Sequence, residues 1–122
     1  MFPIRSLAEL HQQLRTGQTS CRAVVEYHLS RIEQSRALNA FIEIWADEAL
    51  ARADELDARM AAGNGRMGRL FGAVLSLKDN ICYAGHGVTA GSRILSGFRS
   101  LYSATAVERL LAEDAILIGR TN

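Results

Sequence analysis

A single lysine stands in this chain of 122 residues; every other basic side chain is an arginine. That lysine, Lys78, closes a short apolar run, Gly72-Ala-Val-Leu-Ser-Leu77, with Asp79-Asn80 immediately after it. Such a run, bounded by glycine and polar residues, has the pattern of a strand buried on both faces. The carboxyl ends of such strands are where α/β folds commonly hold ligands and catalytic groups. A lysine there costs free energy unless it is paired or used. Burial disfavours its charged form and makes a neutral amine available as a base, which an arginine cannot supply near neutral pH. Asp79 and Asn80 are placed to oppose or orient that amine. A strand-end lysine whose ammonium reaches water, paired with Asp79, fits the same residues, and position alone favours it.

The other residue groups with chemical potential carry less. Gly63, Gly65 and Gly68 match G-x-G-x-x-G, but they follow a helical pattern and precede a strand. A dinucleotide fingerprint needs the reverse order, so a flexible connector is expected. His11 and His28 lie at the borders of helical faces and His86 in a glycine-rich loop. No H-x-x-x-H pair exists, and no metal site is expected. Cys82 and His86 lack an orienting acid and a surrounding signature for a thiol–imidazole pair. Cys21 and Cys82 are far apart and outside any C-x-x-C motif, which reads as idle thiols of a reducing cytoplasm.

The elements that must position Lys78 can be read from periodicity. Ser6-Leu-Ala-Glu9 is a capping box opening a helix near 7–16, with Leu7, Leu10, His11 and Leu14 at helical spacing. A second helix near 20–36 presents Val24, Val25, His28, Leu29 and Ile32. A third near 46–61 presents Ala49, Ala53, Leu56 and Met60 and ends at Gly63. Strands are expected near 72–77 and 115–119. Between them the glycines of 83–101 suit an irregular loop or hairpin. A helix near 104–113 follows, capped by Ser103 or by Thr105 with Glu108, with Ala106, Val107, Leu110 and Leu111 facing inward. Strand, helix and strand in that order form a parallel crossover. The fold class is therefore α/β, with N-terminal helices followed by part of a sheet. The buried strand at 115–119, so close to Asn122, reads as the edge of a truncated chain.

Composition is that of a soluble globular protein: 48% hydrophobic, 22% charged, with a formal charge of +1. No basic cluster predicts a nucleic-acid surface or a membrane anchor. The first residues hold no signal-peptide h-region, and no apolar run approaches the roughly 20 residues of a membrane span. The expected compartment is the cytoplasm.

Four ordered blocks give a resemblance. Leu70-Phe-Gly-Ala-Val-Leu-Ser-Leu-Lys-Asp-Asn-Ile81 resembles the L-x-G-(I/V)-P-x-x-(I/V)-K-D-N block of the amidase-signature family. Gly87-Val-Thr-Ala-Gly-Ser92 is similar to the segment that follows it. Tyr102-Ser-Ala-Thr-Ala-Val-Glu-Arg-Leu110 resembles (Y/A)-D-A-T-x-V-x-x-L, and Ile116-Leu-Ile-Gly-Arg-Thr-Asn122 resembles (I/V)-x-(I/V)-G-K-T-N. Thr19-Ser20, Arg31-Ile32 and Leu38-Asn39-Ala40-Phe41 fit as well. The chain departs from the pattern at Val74 (usually proline), Ser103 (aspartate), Glu113-Asp114-Ala115 (A-G-A) and Arg120 (lysine).

The resemblance implies a mixed sheet sandwiched by helices, of which 1–122 would be the N-terminal part of one domain, ending before the family's Gly/Ser-rich loop. It implies a Ser–Ser–Lys triad: one serine attacks the amide carbonyl, a second relays protons, and the lysine is the ultimate base. Lys78 takes the base role by motif. Ser76 and Ser92 do not match the serine positions, which lie downstream. No cofactor is implied. The substrate is a small-molecule amide, with two branches open. One is the free-standing amidases, which the departures slightly favour. The other is the glutamine-hydrolysing component of glutamyl-tRNA(Gln) amidotransferase, which works with a partner subunit. The rival from another class is a non-catalytic α/β module.

Overall fold

The computed structural model describes residues 4–63 and 65–122. Helix α1 (Leu7–Arg15) opens as its capping box predicts, with Ser6 Oγ accepting the Glu9 N–H at 3.1 Å. The Glu9 carboxylate reaches back to the Arg5 N–H at 2.9 Å. Leu10 and Leu14 are buried, whereas Leu7 is exposed. Helix α2 (Cys21–Gln34) has Ser20 as its cap, accepting the Ala23 N–H at 3.1 Å. Helix α3 (Ala46–Ala61) packs Ala49, Ala53 and Leu56 against α2, where Val24 and Val25 are buried. Completely burying side chains such as Leu56 and Val25 stabilises by about 1.5–3 kcal/mol each. Gly63, at φ +64°, turns the chain out of α3.

Among the described residues the sheet has three strands in the order β1-β3-β2. Strand β1 (Phe41–Ile44) was not anticipated from periodicity. Strands β2 (Val74–Lys78) and β3 (Ile116–Thr121) lie where expected, and they pair in parallel across a crossover containing helix α4 (Thr105–Ala112). Strands β1 and β3 pair antiparallel, so the sheet is mixed. Opposite β2 the register jumps from Leu75↔Leu117 to Ser76↔Gly119, which makes Ile118 the extra residue of a bulge. One face of the sheet carries the core of α1, α2 and α3, including Ile116 and Ile118; the other carries Leu77, Leu117, Trp45 and Val107.

Three expectations are corrected here. Among the described residues strand β2 is not buried on both faces: it lies at the edge of the sheet, with Leu77 buried and Ser76 and Lys78 exposed. The doubly covered strand is the central one, β3, buried from Ile116 to Gly119. Helix α4 uses neither expected cap: Ala104 holds the N-cap position, and Ser103 Oγ instead accepts the Ala84 N–H at 3.0 Å. Ala106 is exposed, and Val107 is the buried residue of the helix.

The glycine-bearing connector after α3 is anchored rather than free at its far end. Gly68 lies against the backbone of Glu113, and the Leu70 N–H donates to Glu113 O at 2.9 Å. The buried Asp114 carboxylate accepts the Gly68 N–H at 2.7 Å and pairs with Arg52 and Arg59 of α3. The loop of 83–101 doubles back on itself: Gly85 N–H donates to Ser100 O at 2.8 Å, Ser100 N–H to His86 O at 3.0 Å, and Gly87 bridges Arg99.

Candidate active site at the carboxyl end of β2

Residues alternate across a strand, so Leu77 and Asp79 point to one side of the sheet and Ser76 and Lys78 to the other. Lys78 is the last residue of β2, paired with Thr121, and its side chain is exposed. The burial expected of it comes from no described residue. Its ammonium makes no hydrogen bond or ion pair among the described residues.

Asp79 does not pair with Lys78; it is buried on the opposite side. The Thr89 N–H donates to its Oδ1 at 3.0 Å, the Thr89 hydroxyl donates to Oδ2, and Arg120 Nη1 donates to Oδ1. Its main chain is equally engaged, donating to Thr121 O at 2.8 Å and accepting the Ala90 N–H at 2.7 Å. Burial pushes the Asp79 carboxyl up, but the two Thr89 bonds and the Arg120 guanidinium outweigh it and hold the group below its ordinary value. Arg120 is itself forked, with Nε donating to Glu43 at 3.0 Å. Gly87 lies over this guanidinium, where a Cβ would come within 3.0 Å of Nη2. Asn80 is exposed in the turn after β2.

Sequence reasoning had no account of Thr89, Glu43 and Arg120 as a group. One signal was present: Arg120 replaces the usual lysine of the resembling block, and the planar guanidinium directs separate N–H donors at the two carboxylates. Glu43, half-buried on β1, is its second partner.

The remaining candidates are dispersed. His11 Nε2 lies 3.1 Å from Phe71 O. His28 packs against Tyr27, and burial lowers its pKa. The His86 ring stacks on Tyr83 at 4.0 Å, with its nitrogens facing Glu48 (2.8 Å) and Ala84 O (2.9 Å) rather than Cys82. Among the described residues no three His, Cys, Asp or Glu side chains converge on a metal-sized site. The Cys21 thiol is pushed up to about 12 by burial and by the nearby Asp57 charge, so it stays protonated. Ser92 caps the turn at Arg93–Leu95, accepting the Ile94 N–H at 3.3 Å. An open groove of about 680 Å³, lined by Ile32, Phe41, Ile44, Ser76 and Ile118 among others, lies on the face that Ser76 and Lys78 share. Among the described residues no helix is long and apolar enough to cross a membrane.

Comparison with known proteins agrees with this architecture. The family model described as Amidase matches residues 23–122. The A subunit of glutamyl-tRNA(Gln) amidotransferase from Chlorobaculum tepidum is 43% identical over 114 residues, covering 93% of this chain and 24% of the relative. Its counterpart from Chlorobium phaeobacteroides is 44% identical over 117 residues, covering 96% and 24%. Among solved structures, a bacterial aryl acylamidase of the amidase-signature family superposes with a TM-score of 0.89 at 32% identity, covering 97% of this chain and 25% of that one. The peptide amidase of Stenotrophomonas maltophilia superposes with a TM-score of 0.85 at 35% identity, covering 96% and 24%. The chain thus spans about a quarter of the length of the curated relatives it matches. With its mixed sheet, its helical layers and the Lys78-Asp79-Asn80 block at the end of β2, the chain belongs to the amidase family, the amidase-signature enzymes.

Proposed function

We propose that the protein carrying this segment hydrolyses amide bonds with a Ser–Ser–Lys triad in which Lys78 is the base. The observation that supports this most is the position of Lys78: it ends β2, inside the family's K-D-N block, with no ion-pair partner among the described residues to explain its charge. Outside the described residues the triad reading needs two serines: a nucleophile that forms the acyl-enzyme and a relay that passes its proton to the Lys78 amine. Lys78 would then return that proton toward the leaving nitrogen. The substrate is a small-molecule amide and the compartment the cytoplasm.

The test is kcat of Lys78→Arg in the whole protein, with melting temperature as the control for folding. Arginine stays protonated near neutral pH and cannot accept the proton. Triad members act as a unit, so Lys78→Arg and Lys78→Ala should each lose several powers of ten in kcat. Near-wild-type turnover by Lys78→Arg would reduce Lys78 to a solvated strand-end charge.

A second reading is favoured by the 43% and 44% identities to glutamyl-tRNA(Gln) amidotransferase components: the amide is glutamine, and the released ammonia is used with a partner subunit. Glutaminase activity that rises when the partner is added supports this branch. Turnover of aryl amides without a partner supports the free-standing amidase.

A further inference from the structure

We infer that Asp79, clamped by Thr89 and Arg120, is a positioning residue that aims Lys78 at the reacting groups; this rests on the base role proposed for Lys78. Among the described residues the lysine side chain has no partner that could orient it. The main chain at 78–79 sets where its stem leaves the sheet, and so where the amine can reach. Every polar group of Asp79 is engaged: the N–H with Thr121 O at 2.8 Å, the carbonyl with Ala90 N–H at 2.7 Å, and the carboxylate with Thr89 N–H at 3.0 Å, with the Thr89 hydroxyl and with Arg120. These bonds join the end of β2 to β3 and to the 83–101 loop. The clamp is itself braced, because Arg120 also holds Glu43 of β1 at 3.0 Å and lies beneath Gly87.

The long lysine stem turns this into a lever. A tilt of about 10° at the Cα carries the amine nitrogen by about 1 Å, and misplacement on that scale can lower a rate by about a hundredfold. The carboxylate matters as a charged acceptor: an amide at position 79 keeps one acceptor oxygen, reverses the bond with the Thr89 hydroxyl and loses the charge that pairs with Arg120. Thr89 contributes both its N–H and its hydroxyl, so loss of the hydroxyl removes its bond to Asp79, and the 3.2 Å bond it accepts from the Gly91 N–H, and leaves the Thr89 N–H bond in place.

The experiment uses the whole protein with glutamine or p-nitroacetanilide, whichever it turns over. Thr89→Val, nearly isosteric, and Asp79→Asn should lower kcat by about 10- to 100-fold with KM changed by less than about twofold. Thr89→Ser, which keeps the hydroxyl, should restore kcat to within about threefold of wild type. Wild-type kcat in Thr89→Val and Asp79→Asn, with or without a lowered melting temperature, overturns the positioning role while leaving the base role standing, provided Lys78→Ala is inactive. An equal loss in Thr89→Ser and Thr89→Val also overturns it, because the hydroxyl would then not be the active feature. Full turnover by Lys78→Ala removes both the base role and the inference built on it.

Discussion

The carboxylate of Asp57, on α3, lies under the first turn of α2 and takes the Cys21 N–H at 2.7 Å and the Arg22 N–H at 3.0 Å. A helix begins with N–H groups that have no partner within the helix. Ser20 satisfies the Ala23 N–H, and Asp57 supplies two more acceptors from a different helix. One side chain thereby caps α2 and fixes the α2–α3 pair. Asp57→Ala is expected to lower unfolding free energy by about 1–2 kcal/mol, as losing a helix cap does. Urea denaturation checks this, and an unchanged midpoint would refute it.

Asp114 should give the fold an acid-sensitive contribution. Burial pushes its carboxyl up, but Arg59, the Gly68 N–H and Arg52 bring it below its ordinary value of 3.8. A carboxyl with a lower pKa in the folded state binds fewer protons there than in the unfolded chain. Its contribution is therefore present above about pH 4 and is lost as pH falls through the depressed folded value. Asp114→Asn should lower stability by about 2 kcal/mol at pH 7 and flatten the acid limb of the stability curve. Asparagine tolerates the φ of +68° at this position, so backbone strain does not confuse the comparison. Thermal melts of both proteins from pH 7 to pH 2 make the measurement; parallel curves would sink the prediction.

Gly68 is held at its size by a backbone contact. A Cβ there would lie 2.3 Å from the carbonyl carbon and oxygen of Glu113. Main chain cannot move aside as a flexible side chain can, and Glu113 is tied down by its hydrogen bond to Leu70. Gly68→Ala should destabilise by about 1–3 kcal/mol through overpacking, despite alanine's smaller backbone entropy cost. A melting temperature at or above that of wild type would count against it.

The purified chain of residues 1–122 should show no amide hydrolysis. Lys78 makes no hydrogen bond to any serine among the described residues, and a base without an acyl-accepting hydroxyl has nothing to activate. Ammonia release from glutamine, or nitroaniline release from p-nitroacetanilide, is the assay. Turnover that disappears in Lys78→Ala would contradict the expectation.

Much of this organisation was legible in the residues. The four helices and two of the strands announced themselves because helical periodicity, caps and short apolar runs depend on neighbouring residues. Strand β1 did not, because it is only four residues long, with Phe41 and Glu43 half-buried, Ile42 and Ile44 exposed, and a register slip between Phe41 and Glu43. The half-buried glutamate interrupts the apolar pattern, and its partner Arg120 lies far along the chain. Lys78 was legible as a candidate from its uniqueness and its strand end. Its surroundings were not, since adjacency in sequence suggested a pair with Asp79 that strand alternation forbids. Helix α4 lacked its expected cap for a similar reason: Ser103 was drawn to Ala84, in a loop that local pattern cannot place.

The strand order also sets a timetable. Among the described residues strands β1 and β2 do not pair with each other; each pairs with β3, the last of the three to be synthesised. A growing chain can close α2 on α3 early, through contacts of short sequence separation. No hydrogen bond between these strands can form until Ile116–Thr121 has left the ribosome. At about 5–20 residues per second, the β1 and β2 edges then wait several seconds with their main-chain groups unpaired. During that interval the main-chain groups of Phe41–Ile44 and Val74–Lys78 are open to pairing with other nascent chains.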